Sequence, residues 1–165
     1  WKHDHGDAVA QMATLAGVLT LGVEQGLLIG IGLTLALFLY RTSRPHIAIV
    51  GRVPGTEHYR NILRHKVETW PSILLLRIDE SLYFANVPRV ESMLLRIISE
   101  QPDLRHCTLI LSGVNQLDAS GMEMIEKLGD ALDGLGIDLH LAEIKGPVQD
   151  RMALAGSLDR PAAWR

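Results

Sequence analysis

The sequence predicts a two-part chain: an α/β domain with a mostly parallel or mixed sheet of about four strands over residues 45–165, preceded by a transmembrane helical segment over residues 1–44. Three observations carry this reading. The run 8–40 is apolar and holds Glu24 as its only charge. Arg41 and Arg44 then open a charged segment. Beyond Pro45, short aliphatic and β-branched runs alternate with stretches whose apolar residues recur every three or four positions. The first part is composed for lipid and the second for water.

The average composition, 47% hydrophobic with a net charge of -3, describes neither part. From Arg44 onward there is enough chain for one small domain with its own core. So small a net charge does not suit a nucleic-acid partner. The single cysteine, Cys107, cannot form an intramolecular disulfide, which fits a reducing compartment. At the head of an apolar run, it reads as a small buried side chain.

One helix covering the whole apolar run would be about 50 Å long against a bilayer core of about 30 Å. The run must therefore break or tilt. Gly22-Val23-Glu24-Gln25-Gly26 is the natural break, giving two short helices over 7–22 and 26–40; a hairpin and a single tilted span both satisfy the pattern. It is not a signal peptide, since acidic residues precede it and no small-residue cleavage site follows. Gly22, Gly26 and Gly30 fall at four-residue spacing, a smooth strip against which another transmembrane helix can pack. Glycine is also simply frequent in membrane helices. Arg41, Arg44 and Arg52 place the water-soluble domain on the cytoplasmic side by the positive-inside tendency, with Tyr40 at the interface. Glu24 reads as an ion-coupling carboxylate or as a residue at the water interface.

In the second part four strands are expected, over 46–50, 73–78, 108–111 and 139–144. A helix over 86–100 is marked by Asn86 as cap, Pro88 in its first turn and an apolar face of Val90, Met93, Leu94, Ile97 and Ile98. A second starts at Ser120, with Met122, Ile125, Leu128, Leu132 and Leu135 inward, and Gly134 and Gly136 close it. A third begins at Pro147 and turns Val148, Met152 and Ala155 inward. Strands alternating with helices imply a largely parallel sheet.

Chemistry concentrates at Leu117-Asp118-Ala119-Ser120-Gly121, where the third expected strand hands over to the second of these helices. A helix N-terminus carries partial positive charge and unpaired N–H groups, so a phosphate on Ser120 would be received there. Ser120 and Glu123 also form the S-x-x-E pattern of a capping box, which accounts for both residues by capping alone. The two readings are compatible.

Asp118-Ala119-Ser120-Gly121, after Thr108-Leu109-Ile110-Leu111 and before an amphipathic helix, resembles the signature loop of STAS domains, named for sulfate transporters and anti-sigma-factor antagonists. Arg41-Thr42-Ser43-Arg44-Pro45-His46, Gly51-Arg52-Val53-Pro54-Gly55-Thr56 and Arg77-Ile78-Asp79-Glu80-Ser81-Leu82-Tyr83-Phe84-Ala85-Asn86 are similar to bacterial SulP sulfate permeases. The resemblance runs from Asp7 to about Met152. It implies the C-terminal end of a secondary anion transporter driven by protons or sodium, multi-pass in the inner cell membrane, with a cytoplasmic STAS domain in regulation, folding or dimer contacts. It implies as partners membrane lipid, the remaining transmembrane helices, and a second copy or a cytoplasmic regulatory protein. The anion of such transporters sits between half-helices of earlier segments, so no transport is expected of these residues alone. Sulfate is the family default, although bicarbonate and dicarboxylates are served by similar proteins. The phosphorylated serine of the anti-sigma-factor antagonists maps onto Ser120, with Asp118 and Gly121 beside it. Family members commonly continue into a further strand and helix, where this chain has residues 157–165.

Other constellations are weaker. His3-Asp4-His5 offers three adjacent ligand types but reads as a solvated end, and no metal set or cofactor is otherwise read. His58, Arg60, Arg64, His65 and Lys66 form a basic cluster suited to anionic lipid heads or to the transporter's own loops, or an ordinary exposed face. No G-x-x-x-x-G-K-[ST] loop and no G-x-S-x-G elbow is present, which argues against an enzyme. The alternative reading is a membrane-tethered interaction switch, binding a signalling protein through the second helix and releasing it on Ser120 phosphorylation.

Overall fold

The computed structural model describes residues 5–156, in two compact units, Trp1–Arg44 and Pro45–Arg165. His3, Asp4 and the tail 157–165 lie outside the described residues. In the first unit, α1 (His5–Leu21) and α2 (Val23–Thr42) are parted by Gly22 alone. Its φ of +100° and ψ of 166° belong to a region that residues with a Cβ scarcely enter. The break expected over five residues is thus a single residue. Gly26 lies one turn inside α2, its N–H donating to Gly22 O at 3.0 Å.

The apolar run is a hairpin. Ala10, Gly26 and Gly30 are buried between its helices, and Arg41 Nη2 meets Asp7 Oδ1 at 3.1 Å at the open end. A methyl group on Gly26 would stand 2.6 Å from Val18 Cα, and one on Gly30 would run into the Thr14 side chain. Thr14 donates to Ala10 O and Thr20 to Ala16 O, both at 2.7 Å, so both hydroxyls are satisfied within α1. The outer surface is apolar, with Val9, Met12, Leu19, Leu28, Ile31 and Phe38 exposed. At 20 residues, α2 is about 30 Å long. Among the described residues it is the one helix long and apolar enough to cross a membrane.

The second unit is a five-stranded mixed sheet in the order β2-β1-β3-β4-β5. β1 (Ile47–Arg52) runs antiparallel to β2 (Tyr59–Asn61) and to β3 (Ile73–Ile78). β3, β4 (His106–Ile110) and β5 (Asp138–Ala142) are parallel. Each parallel step crosses through a helix, α3 (Val87–Ser99) and then α4 (Ala119–Asp133), and α5 (Gly146–Leu154) follows β5. β2 was not expected: a three-residue Tyr-Arg-Asn strand has no apolar alternation to announce it. β5 ends at Ala142, short of the expected 144, and Glu143 takes a φ of +55°, which an extended strand cannot continue through.

Alternate residues of the strands point to opposite faces. Leu74, Leu76, Ile78, Cys107, Leu109, Leu139 and Leu141 turn to the helices and join Val90, Leu94, Ile98, Ile125, Leu128, Leu132, Val148 and Met152 in the main core. Ala48, Val50 and Ile110 form a smaller cluster on the other face. Met93 is half-buried against the core. Leu135, expected inward, is exposed because α4 ends at Asp133, and Ala155 is exposed as the residue capping α5. Cys107 is fully buried, and burial pushes its thiol pKa up to about 12.

The hairpin generates one test. Gly26→Leu, read by thermal melting of the chain in detergent, is expected to lower Tm by several degrees through forced separation of α1 and α2. Ser at the outward position of Leu28, which faces away from α1, should leave the melting point within about one degree; equal effects would show that Gly26 does not pack the hairpin.

Candidate functional site

Helices on one face and loops at the strand ends put the exits of β3, β4 and β5 at one rim of the sheet, the end where α/β proteins place their functional groups. The loop 79–86 after β3 is stitched to the loop 111–118 after β4. Leu82 and Leu117 form a parallel bridge. Leu82 N–H donates to Gln116 O at 3.0 Å and Asp118 N–H to Leu82 O at 3.1 Å, while Gln116 N–H donates to Ser81 Oγ at 3.1 Å. The loop after β5 joins them where Lys145 Nζ donates to Asn115 Oδ1 at 2.6 Å.

Asp118 is the centre of this stitching. It is the N-cap of α4, in extended conformation, and its Oδ1 accepts from Gly121 N–H at 2.8 Å. Its Oδ2 accepts from Phe84 N–H, also at 2.8 Å. The capping box expected of Ser120 and Glu123 is therefore not formed. Ser120 is the second residue of α4, half-buried, and Glu123 Oε1 pairs instead with Lys127 Nζ one turn on at 2.8 Å. The cap falls two residues earlier because Asp118, not Ser120, has the non-helical backbone that lets a side chain reach back to the third following residue.

Gly121 is needed for space. A Cβ there would lie 2.7 Å from Leu117 Cδ1 and 3.0 Å from Leu82 O. Asn86 precedes α3 but gives it no side-chain cap. Fully buried, it accepts from Tyr83 N–H at 3.1 Å through Oδ1 and donates to Ser81 O at 2.7 Å through Nδ2. It braces the loop that presents Phe84, a residue 70% exposed, beside the Asp118 cap.

A second polar knot lies where β3 ends. Arg77 Nε donates to Asp79 Oδ1 at 2.6 Å and Arg77 Nη2 to Oδ2 at 3.2 Å, and His46 Nδ1 lies 2.9 Å from Oδ2. Burial alone would push the Asp79 carboxyl up, but the hydrogen bonds and charges of Arg77 and His46 outweigh it and hold the group below the usual carboxylate range.

Of the other predicted residues, Gly22 makes the hairpin turn and Gly26 and Gly30 face α1. Glu24 is exposed in the first turn of α2. His58 and Arg60 line a polar cavity of about 220 Å³ with Glu57, Arg77, Ser112 and Glu143, so acids offset their charge. Arg64, His65 and Lys66 are exposed nearby in sequence.

A family model described as the STAS domain matches residues 64–162. The chain belongs to the STAS domain family. High affinity sulfate transporter 2 of Stylosanthes hamata is 36% identical over 158 residues, covering 90% of this chain and 24% of the relative. Sulfate transporter 1.3 of Arabidopsis thaliana is 32% identical over 169 residues, covering 96% of this chain and 26% of the relative. The chain thus spans about a quarter of the length of these curated relatives. Among solved structures, the murine solute carrier 26 family member A9 anion transporter, in its inward-facing state, superposes with a TM-score of 0.88 at 17% identity, over 98% of this chain and 26% of that one. The shared fold therefore includes the helical hairpin as well as the STAS domain.

Within the STAS domain, sequence reasoning reached Asp118, Ser120 and Gly121 but missed Phe84 and the inward turn of Asn86. An asparagine two residues before a proline is indistinguishable in sequence from a helix cap.

Two outcomes are expected. Asp118→Ala removes acceptors from two N–H groups and should destabilise the STAS domain by about 1–3 kcal/mol in urea titration, with Ser120→Ala costing less. Asp79 has a folded pKa below its unfolded one, so its contribution is present above the unfolded value near pH 4 and is lost as pH falls through the folded value. Asp79→Asn should accordingly cost about 0.5–1 kcal/mol at pH 7, a figure discounted for partial exposure, and the difference from the unmodified chain should shrink as pH falls below the unfolded value.

Proposed function

We propose that the chain is the C-terminal portion of a secondary anion transporter of the sulfate type, in which α1 and α2 complete the membrane part and the STAS domain acts on the cytoplasmic side in regulation. The observation that carries this is the continuity of the likeness. Sulfate transporters match over 90% or more of the chain, so the apolar hairpin and the STAS domain are matched together and in the same order. A tether for a soluble switch would need neither the glycine-packed hairpin nor its long apolar outer surface. That surface suits lipid and further transmembrane helices. The anion pathway belongs to segments other than this chain, and sulfate is proposed from the relatives' names.

The rim at Asp118 suits a regulatory role for Ser120. A phosphate on Ser120 would compete with the Asp118 carboxylate for the N-terminal N–H groups of α4 and repel it at short range. Asp118 would then release Phe84 N–H, and the loop 79–86 would change its presentation of the Phe84 ring to a partner. A cytoplasmic regulatory protein or a second copy is the proposed reader of that surface, and the inner membrane of the cell is the proposed location.

Labelled sulfate uptake into proteoliposomes carrying the full-length protein tests the transport reading. Saturable uptake, reduced at least several-fold when the STAS domain is deleted, is expected; absence of uptake of sulfate and of other small anions would refute it. Ser120→Asp should alter uptake or partner binding where Ser120→Ala does not, and identical behaviour of the two variants would sink the switch.

A further inference from the structure

The parallel register places His106 directly opposite Asp138, with His140 two residues along β5 opposite Thr108. All three point away from the helices, because their neighbours Cys107, Leu139 and Leu141 fill the main core. His106 Nδ1 lies 3.2 Å from Asp138 Oδ2 and 3.4 Å from His140 Nε2, and the three ligand atoms all fall within 4.8 Å of one another. Among the described residues this is the one such group of histidine, cysteine or carboxylate side chains.

Two physical facts distinguish it from an ordinary polar edge. First, the carboxylate oxygen and the second imidazole nitrogen converge on the same atom, His106 Nδ1. In a neutral imidazole that nitrogen carries either one proton or one lone pair. It can donate to Asp138 or accept from His140, so one proton cannot serve both contacts well. A cation among the three atoms would use a lone pair of each. Second, the spacing matches metal ligation. Nitrogen and oxygen ligands about 2.0–2.1 Å from a tetrahedral zinc stand about 3.3–3.4 Å from one another. The two short separations already meet that value.

The backbone is also held in advance. His106 N–H donates to Ser72 O at 3.0 Å and Asp138 N–H to Arg105 O at 2.9 Å, so the strand starts that carry two of the ligands are fixed by the ladder and not by the metal. The side chains remain open to solvent, 46% exposed for His106 and 58% for Asp138, which leaves an entry route.

We infer that His106, Asp138 and His140 form a binding site for a divalent transition metal of the zinc type on the face of the sheet turned away from α3, α4 and α5, at the end opposite the Asp118 rim. Two imidazoles and one carboxylate suit Zn²⁺ and its first-row neighbours, whereas Mg²⁺ and Ca²⁺ take oxygen-rich sets. Three protein ligands leave a fourth position for water or for a donor from another molecule. The metal would clamp β5, the edge strand among the described residues, to β4. Nothing in the sequence spacing announces this set. One ligand lies more than thirty residues from the others, and only the parallel register brings it to Asp138.

The test is titration of the metal-stripped full chain, in detergent, with Zn²⁺ alone, followed by calorimetry and by the visible absorption of Co²⁺ in its place. The expected result is one saturable site per chain, with a tetrahedral Co²⁺ spectrum and a Tm raised by Zn²⁺. Loss of an outer partner of a metal ligand weakens binding about 10–100-fold, so His140→Ala and Asp138→Asn should each weaken it at least about 10-fold. The double change His58→Ala with His65→Ala serves as the control and should leave it unchanged. The metal-free melting points of the variants show whether they fold, and His106→Gln provides a closer shape should His140→Ala fail. Zn²⁺ affinity in the folded ligand variants equal to that of the unmodified chain overturns the site, as does the absence of a saturable site in that chain.

Discussion

Parallel strands leave their ends without the tight turns that close antiparallel ones, so something else must join the loops that follow them. Here the join is one carboxyl side chain. Asp118 accepts at 2.8 Å from the start of its own helix and at 2.8 Å from Phe84 of the neighbouring crossover. Hydrogen bonds to a charged acceptor are stronger than neutral ones, and one side chain here orders two loops together. The rest of the rim follows from that junction. Gly121 must lack a side chain because Leu82 and Leu117 have been drawn against it. Asn86 is buried because the loop between Ser81 and Tyr83 has to be braced from within once its other side is tied to Asp118.

The two units solve opposite problems with the same alphabet. The sheet buries its leucines and isoleucines against helices, leaving Asn86 as the one fully buried polar side chain among the described residues. The hairpin buries glycines and alanine and turns its large side chains outward. Small residues inside and large ones outside is the pattern of helices whose surroundings are as apolar as their own side chains, where close backbone approach takes the place of hydrophobic burial. Threonine hydroxyls turned back to the preceding turn complete the accounting of polar groups that such surroundings require.

What could be read from the sequence was whatever has a period or a strong local preference. α3 and α4 show their buried faces at helical spacing, and their ends were placed to within a residue or two. β3 was found with the ends expected of it, and β1, β4 and β5 with shifted ends. β2 was missed because a short polar edge strand is defined by its pairing with Val50, Gly51 and Arg52, which is a property of the partner. The same distinction separates the readable and unreadable parts of the rim. Asp118 and Gly121 occur in a compact motif, whereas the Phe84 contact joins residues 34 apart. Ser120 was assigned the cap because S-x-x-E is a good local pattern, but the backbone at Asp118 was the better acceptor position. Local preference proposes, and the geometry of neighbouring strands decides.

The burial of Cys107 makes the chain silent to thiol chemistry. With its thiol proton held to about 12 and its side chain wholly enclosed, the protein carries no thiolate at neutral pH. It is the sole cysteine. A cysteine introduced at any exposed position, beside Phe84 or on the outer face of α2, would therefore be the single reactive thiol. Spin labels and fluorophores could then report on each unit separately, with Cys107 left in place to fill the core.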